Sequence, residues 1–149
     1  MKNKIIVCGF IVVLCFILTS CGTNNERLKD SKIDKIDFSL TNDSIKDFEK
    51  ENIFISRREV VSSIKHLLGE VDYTKENEVN NTENLVGANT YTLDLSRGTK
   101  FIERYQLYGD FIKVGVNKKH QKIYKVSHKK ISKLVQLLDV LVENNDSRK

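Results

Sequence analysis

YTLDLSRGTKFIERYQLYGDFIKVGVNKKHQKIYKV, running from Tyr91 to Val126, alternates apolar and polar residues over most of its length. Tyr91, Leu93 and Leu95 share one side of the first run, and Arg97-Gly98 can turn the chain. Phe101, Glu103, Tyr105 and Leu107 then share one side of a second run, with Ile102, Arg104 and Gln106 on the other. Gly109-Asp110 offers the next turn. Ile112, Val114 and Val116 make a third run, and Asn117-Lys118-Lys119 a third turn. In the fourth run Lys122, Tyr124 and Val126 alternate with Ile123 and Lys125. A period of two is the pattern of a half-buried strand. Four such runs, about ten residues apart, predict antiparallel neighbours in chain order.

Outward from this meander, two amphipathic helices are expected. On the C-terminal side Ser127 stands as a cap, followed by Ile131, Leu134, Val135, Leu138 and Val142 on one stripe. Val126 and Ile131 occupy staple positions around that cap, and Leu137 and Val140 lie off the stripe. On the N-terminal side Ser56 and Glu59 have the spacing of a capping box, with Ile55 and Val60 as a staple. Val60, Val61, Ile64, Leu67 and Leu68 follow at helical spacing, and Gly69 reads as a stop, which predicts a helix over 57–68. Ile36, Phe38 and Leu40 alternate within a strand over 33–40, Ile45 and Phe48 are further packing points, and Ile53-Phe54-Ile55 reads as an edge strand or a lead into the helix. Residues 70–89 are polar and acidic and read as a mobile surface loop. The fold class expected is α+β: an antiparallel meander sheet of four to five strands, covered on one face by two amphipathic helices.

The N-terminus carries a different signal. Lys2 and Lys4 precede an apolar run from Ile5 to Leu18, and small residues lead to Cys21. That is the pattern of a secretory signal peptide over residues 1–20. The run holds 14 residues. As a helix it spans about 21 Å, short of a bilayer core of roughly 30 Å, so length argues against a membrane span. Leu18-Thr19-Ser20-Cys21 resembles the lipobox of bacterial lipoproteins. The resemblance implies cleavage before Cys21 and a diacylglycerol on its thiol, hence attachment to membrane lipid on the extracytoplasmic face of the cell membrane. Residues 21–32 then read as a polar tether, 33–142 as one domain, and 143–149 as a polar tail.

Loss of 20 residues from 149 leaves 129, enough for one domain. Cys8 and Cys15 go with the leader, so no disulfide is expected and the apolar core must hold the fold. Loss of Lys2 and Lys4 lowers the net charge from +5 to +3. His66, His120 and His128 lack ligand spacing, no catalytic motif occurs, and the acids of 70–83 lack the glycine of a calcium loop. No cofactor and no metal are expected. The one departure from background is basic: Phe111 to Leu138 holds eight lysines and no acid. Lys118, Lys119, Lys122, Lys125, Lys129 and Lys130 are the candidate anion- or partner-binding residues. Lys129 and Lys130 sit in the first turn of a helix, where cations oppose the dipole and a compensating anion would be favoured. The partners these residues suit are an anionic polymer, a lipid headgroup or an envelope protein. Scarce arginine and an extracytoplasmic address argue against nucleic acid.

With the lipobox, the Ile33-Asp34-Lys35-Ile36 strand and the Ile123-Tyr124-Lys125-Val126-Ser127 junction in place, the chain is similar to small uncharacterised lipoproteins of low-GC Gram-positive bacteria, in the style of the YhfM-like group. The resemblance implies a membrane-anchored extracytoplasmic domain and supplies no catalytic residues. The function expected is a non-enzymatic binding or interaction module. The alternatives are an immunity or superinfection-exclusion lipoprotein, or an envelope enzyme built from scattered groups such as Glu103, His120, Tyr124 and His128.

Overall fold

A computed structural model of the chain describes Leu28 and residues 31–42, 51–80, 89–116 and 120–146. The leader, Cys21, Ile45, Phe48, Lys118, Lys119 and residues 147–149 lie outside the described residues. Eight regular elements follow in the order β1 (Lys35–Asn42), β2 (Glu51–Ile55), α1 (Arg58–Gly69), β3 (Asn89–Arg97), β4 (Lys100–Tyr108), β5 (Phe111–Gly115), β6 (Gln121–Lys125) and α2 (His128–Asp146). A short 3₁₀ turn at Lys75–Asn77 lies between α1 and β3. The sheet has six strands in the order β2-β1-β3-β4-β5-β6, and every neighbouring pair is antiparallel.

The meander forms as the alternation requires. Tyr91, Leu93, Leu95, Tyr105, Leu107, Ile112, Val114 and Tyr124 all point into one buried layer, joined by Ile36, Phe38 and Leu40 of β1. Both hairpin turns within β3–β5 have two residues with glycine first, Gly98 at φ +58° and Gly109 at φ +52°. That left-handed conformation costs glycine nothing and strains other residues. The sixth strand is Glu51–Ile55, which pairs with β1 through Ile36 opposite Ile55 and Phe38 opposite Ile53. It stands at the sheet edge, and the strand count is one above the upper expectation because this short run completes a ladder of its own.

The helices lie on the same face of the sheet. Val61, Ile64 and Leu68 of α1 and Ile131, Leu134 and Leu138 of α2 are buried in the common core. Val60, Leu67, Val135, Leu137, Leu141 and Val142 pack against it half-buried. Val140 points outward and is 50 % exposed. Ser127 immediately precedes α2, and its carbonyl accepts from the Lys130 and Ile131 amides. The staple pair Val126 and Ile131 is buried on both sides of that start.

Four local expectations are corrected. The α1 capping box does not form: the helix starts one residue later, with Arg57 in extended backbone at its N-cap and no side-chain cap bond. Gly69 stays helical, and the Glu70 amide still bonds back to the His66 carbonyl, so the stop lies beyond the glycine. The stretch after α1 is packed where it is described. Val71 and Tyr73 are core residues, and the Val79 amide donates to the Ile123 carbonyl (2.8 Å), so Glu78 and Val79 cover the outer edge of β6. Val71 and Tyr73 anchor the start of this mostly polar run in the core. The domain boundaries also shift. Leu28, inside the expected tether, is buried at 3 % exposure, and α2 runs on to Asp146, into the expected tail.

A bulge corrects one more residue. Between Leu95 and Ser96 the register of β3 against β4 slips, so Leu95 faces Glu103 while Ser96 faces Phe101. The slip moves Phe101 from the core side to the other side, where it is 41 % exposed. Leu134→Ala is expected to lower stability by about 2–5 kcal/mol, and Leu67→Ala, at a half-buried position, by clearly less. Urea melts of the two variants check this, and equal losses would mean that α1 buries a different stripe.

Candidate functional site

The face of the sheet opposite the helices is uncovered among the described residues. Alternate positions of the strands meet there. Asp37 of β1 stands opposite Phe54 and Asp94, and Asp94 opposite Arg104. Thr92 stands opposite Gln106, Gln106 opposite Lys113, and Lys113 opposite Ile123. The twist of the sheet makes a concavity of about 520 Å³ over β2, β1, β3 and β4, lined by Asp37, Phe54, Thr92, Asp94, Arg104 and Tyr108 among others. Its fixed element is a fork: Arg104 Nε donates to Asp94 Oδ1 (2.6 Å), and Nη2 donates to Oδ2. These bonds hold the guanidinium charged, pushing its pKa up against a smaller opposing effect of burial. Lys35 Nζ sits 5.8 Å from the centre of the Phe54 ring, and Phe54 is 59 % exposed. Gln106 and Thr92 are joined side chain to side chain. The sequence pattern assigns Arg104 and Gln106 to the side away from the core, yet nothing local marks Asp94 as the partner of Arg104. That pairing is set by strand register.

Of the six candidate lysines, four lie among the described residues. Lys118 and Lys119 lie outside them. Lys122 and Lys125 are three apart in a strand, so they point to opposite faces. Lys122 Nζ binds Glu78 Oε2 at 2.9 Å, which raises its pKa, and Glu78 belongs to the segment that covers the β6 edge. Lys125 stands opposite Phe111 on the uncovered face. Lys129 and Lys130 are exposed in the first turn of α2. An anion does approach that turn, and it comes from the chain itself. Asp110, in the β4–β5 turn, places Oδ1 3.4 Å from His128 Nδ1, while its carbonyl accepts from the Val126 amide (2.7 Å).

The scattered groups of an enzymatic site are separated. His120 precedes β6 and His128 follows it, so about 17 Å of strand stands between them. Tyr124 and Glu103 each border one packed aromatic group, Tyr124 through Tyr73 and Glu103 through Tyr105. The Tyr73 ring meets Tyr124 edge-on at 5.2 Å and Tyr105 at 6.3 Å, Tyr73 Oη donates to the Leu68 carbonyl (3.0 Å), and Tyr105 Oη donates to Glu103 Oε2 (2.7 Å). Burial, then the Glu103 charge, then Tyr124 push the Tyr73 hydroxyl well above the usual phenol range. His66 is exposed beside Glu70, 3.6 Å from its carboxylate. Among the described residues no three histidine, cysteine or acidic side chains gather as a metal site, and no helix is long and apolar enough to cross a membrane.

Below pH 10 Tyr73 is protonated in both the folded and the unfolded chain. Above it the unfolded chain releases the proton first, so stability falls as pH rises past 10. Tyr73→Phe is expected to make that fall shallower, while costing about 0.5–1.5 kcal/mol at neutral pH through the lost bond to Leu68; melts at pH 7 and above pH 10 check both. Lys129→Glu is expected to stabilise the domain by about 0.3–1 kcal/mol at low salt, because an acid in the first turn of α2 complements the dipole that lysine opposes. A lower melting temperature for this variant would show that the lysine is held by contacts of its own. Against the fold and surfaces described here, no protein-family model, no curated protein and no solved structure matches the chain.

Proposed function

We propose that this chain is an extracytoplasmic lipoprotein, lipidated at Cys21, whose single domain is an interaction module that binds a protein partner through the uncovered face of the sheet. The attachment rests on Leu18-Thr19-Ser20-Cys21 directly after the apolar run, the same residues that resemble a lipobox. The observation that supports the binding surface is the composition of that face. Arg104, Tyr108, Phe111 and Phe54 stand on it beside the small polar residues Ser39 and Thr92. Aromatic residues and arginine are enriched where proteins bind proteins, and small polar neighbours admit close approach. Charge of both signs on this face, with Asp37 and Asp94 beside Arg104, Lys113 and Lys125, suits a protein better than a uniform polyanion.

Two measurements test this. Intact mass of the protein extracted from membranes is expected to start at Cys21 with diacylglycerol attached, and Cys21→Ser to move the protein out of the membrane fraction; an unmodified N-terminus overturns the anchoring. A photo-crosslinking residue at Thr92 of the anchored protein is expected to give a discrete heavier adduct in intact cells, absent from the same residue at Gln136 on the outer side of α2. Gln106→Arg is expected to remove the adduct with the melting temperature unchanged. No adduct from Thr92, or equal adducts from both positions, overturns the assignment of the face.

A further inference from the structure

We infer that the end of the domain formed by the start of β1, the start of α1 and the β3–β4 turn docks on the anionic lipid surface to which Cys21 is attached, so that the strands stand upright on the membrane. The inference rests on the anchoring proposed above and adds an orientation and a contact surface to it. It begins with where the chain enters the fold. Leu28 is buried on the flank of α1 that carries Ser62, Lys65, His66, Gly69 and Glu70, and Ile33 and Asp34 then lie beside Ser56 and Arg58 at the start of that helix. Ser31 Oγ donates to the Leu28 carbonyl, and Lys65 Nζ donates to the Ser31 carbonyl, which ties this entry to the helix. Seven peptide units separate Cys21 from Leu28. Fully extended they reach about 25 Å, so the lipid keeps Leu28, and the start of β1 that the chain enters next, within reach of the surface.

The same end carries the chemistry that an anionic surface recognises. The Asp34 amide donates to the Ser96 carbonyl (3.1 Å), and the Gly98 amide donates to both Asp34 carboxylate oxygens (2.8 and 3.1 Å), which fixes the β3–β4 turn beside the entry of the chain. Lys32, Arg58, Arg97 and Lys100 are exposed around it. Among the described residues, Asp34 is engaged by the turn, and Glu59 lies in the first turn of α1. Next to Lys100 the bulge turns Phe101 outward, an aromatic ring beside cations at the tip of a hairpin. Each basic side chain near a lipid surface of negative potential adds attraction, and an exposed aromatic ring settles at the headgroup boundary. With this end down, the uncovered face is left vertical and accessible from the side.

The test uses the full chain purified from membranes, with the Cys21 lipid first confirmed by intact mass, in vesicles of phosphatidylglycerol and phosphatidylcholine. As the chain has no tryptophan, Phe101→Trp gives a single reporter, and Val140→Trp serves as a control on the outer side of α2. The expected result is blue-shifted emission and protection from acrylamide at position 101 in phosphatidylglycerol vesicles, with position 140 quenched as in solution. Arg97→Gln with Lys100→Gln is expected to lower the docked population about fivefold per charge, and raised salt to do the same. If both reporters are quenched alike in lipidated protein, the domain swings on its tether; docking is overturned and the anchor stands. If the mass shows no lipid, the anchoring and the docking fall together.

Discussion

A sheet six strands wide with one apolar face must bury that face, and the described structure follows from this requirement. The residues that face the helices are large and dry: Ile36, Phe38, Leu93, Tyr105, Leu107, Ile112 and Tyr124 are each at most 2 % exposed. Each such side chain contributes about 1.5–3 kcal/mol through removal from water, before the entropy of ordering the chain is set against it. Two one-sided helices, α1 and α2, contribute to that cover, each presenting a stripe of three buried positions flanked by half-buried ones. Where the helices leave a gap near β4 to β6, the segment after α1 fills it. Tyr73 lies on Tyr105 and Tyr124, and Glu78 with Val79 closes the exposed edge of β6. An open strand edge invites pairing with other chains, and here one edge is blunted from within the same domain.

The polar side of the molecule is arranged by the same alternation. Every strand position that does not face the core faces the uncovered side, so Asp37, Asp94, Arg104 and Gln106 are gathered there without any motif to announce them. The Asp94–Arg104 fork fixes one point of this surface. Among the described residues, the lysines of β6 are divided for an equivalent reason. A strand sends Lys122 and Lys125 to opposite sides, and the chain then turns into α2, whose first turn carries Lys129 and Lys130. Density of charge along a sequence becomes a patch only where the element periodicity and the packing bring the side chains to one surface. Part of the charge is answered internally, by Glu78 at Lys122.

Asp34 and the bulge after Leu95 show how small features decide what an end of a domain presents. The carboxylate of Asp34 binds the turn amide of Gly98, which locks the β3–β4 hairpin to the start of β1. The one-residue slip in β4 then places Phe101 outside, beside Lys100. Without the slip that ring would continue the core face of Tyr105 and Leu107, and the hairpin tip would be polar alone.

Period-two alternation from Tyr91 to Val126 determined the meander, its turns and its buried side, because neighbouring side chains on a strand must point opposite ways whatever the rest of the chain does. Helical spacing in the same manner determined which sides of α1 and α2 are buried, at Ile64 and Leu68 and at Leu134 and Leu138. The order of residues from Lys2 to Cys21 carries the whole of the anchoring proposal, since it is a linear signal. Tertiary structure alone decided the rest. The apolar residues Leu28, Val71 and Tyr73 lie in polar runs without periodicity, and only the cavity they fill explains their burial. The bulge at Leu95 and the partners Asp94 and Arg104 depend on register between two strands. Register is set by the summed fit of two faces, and a single strand read by itself does not contain it.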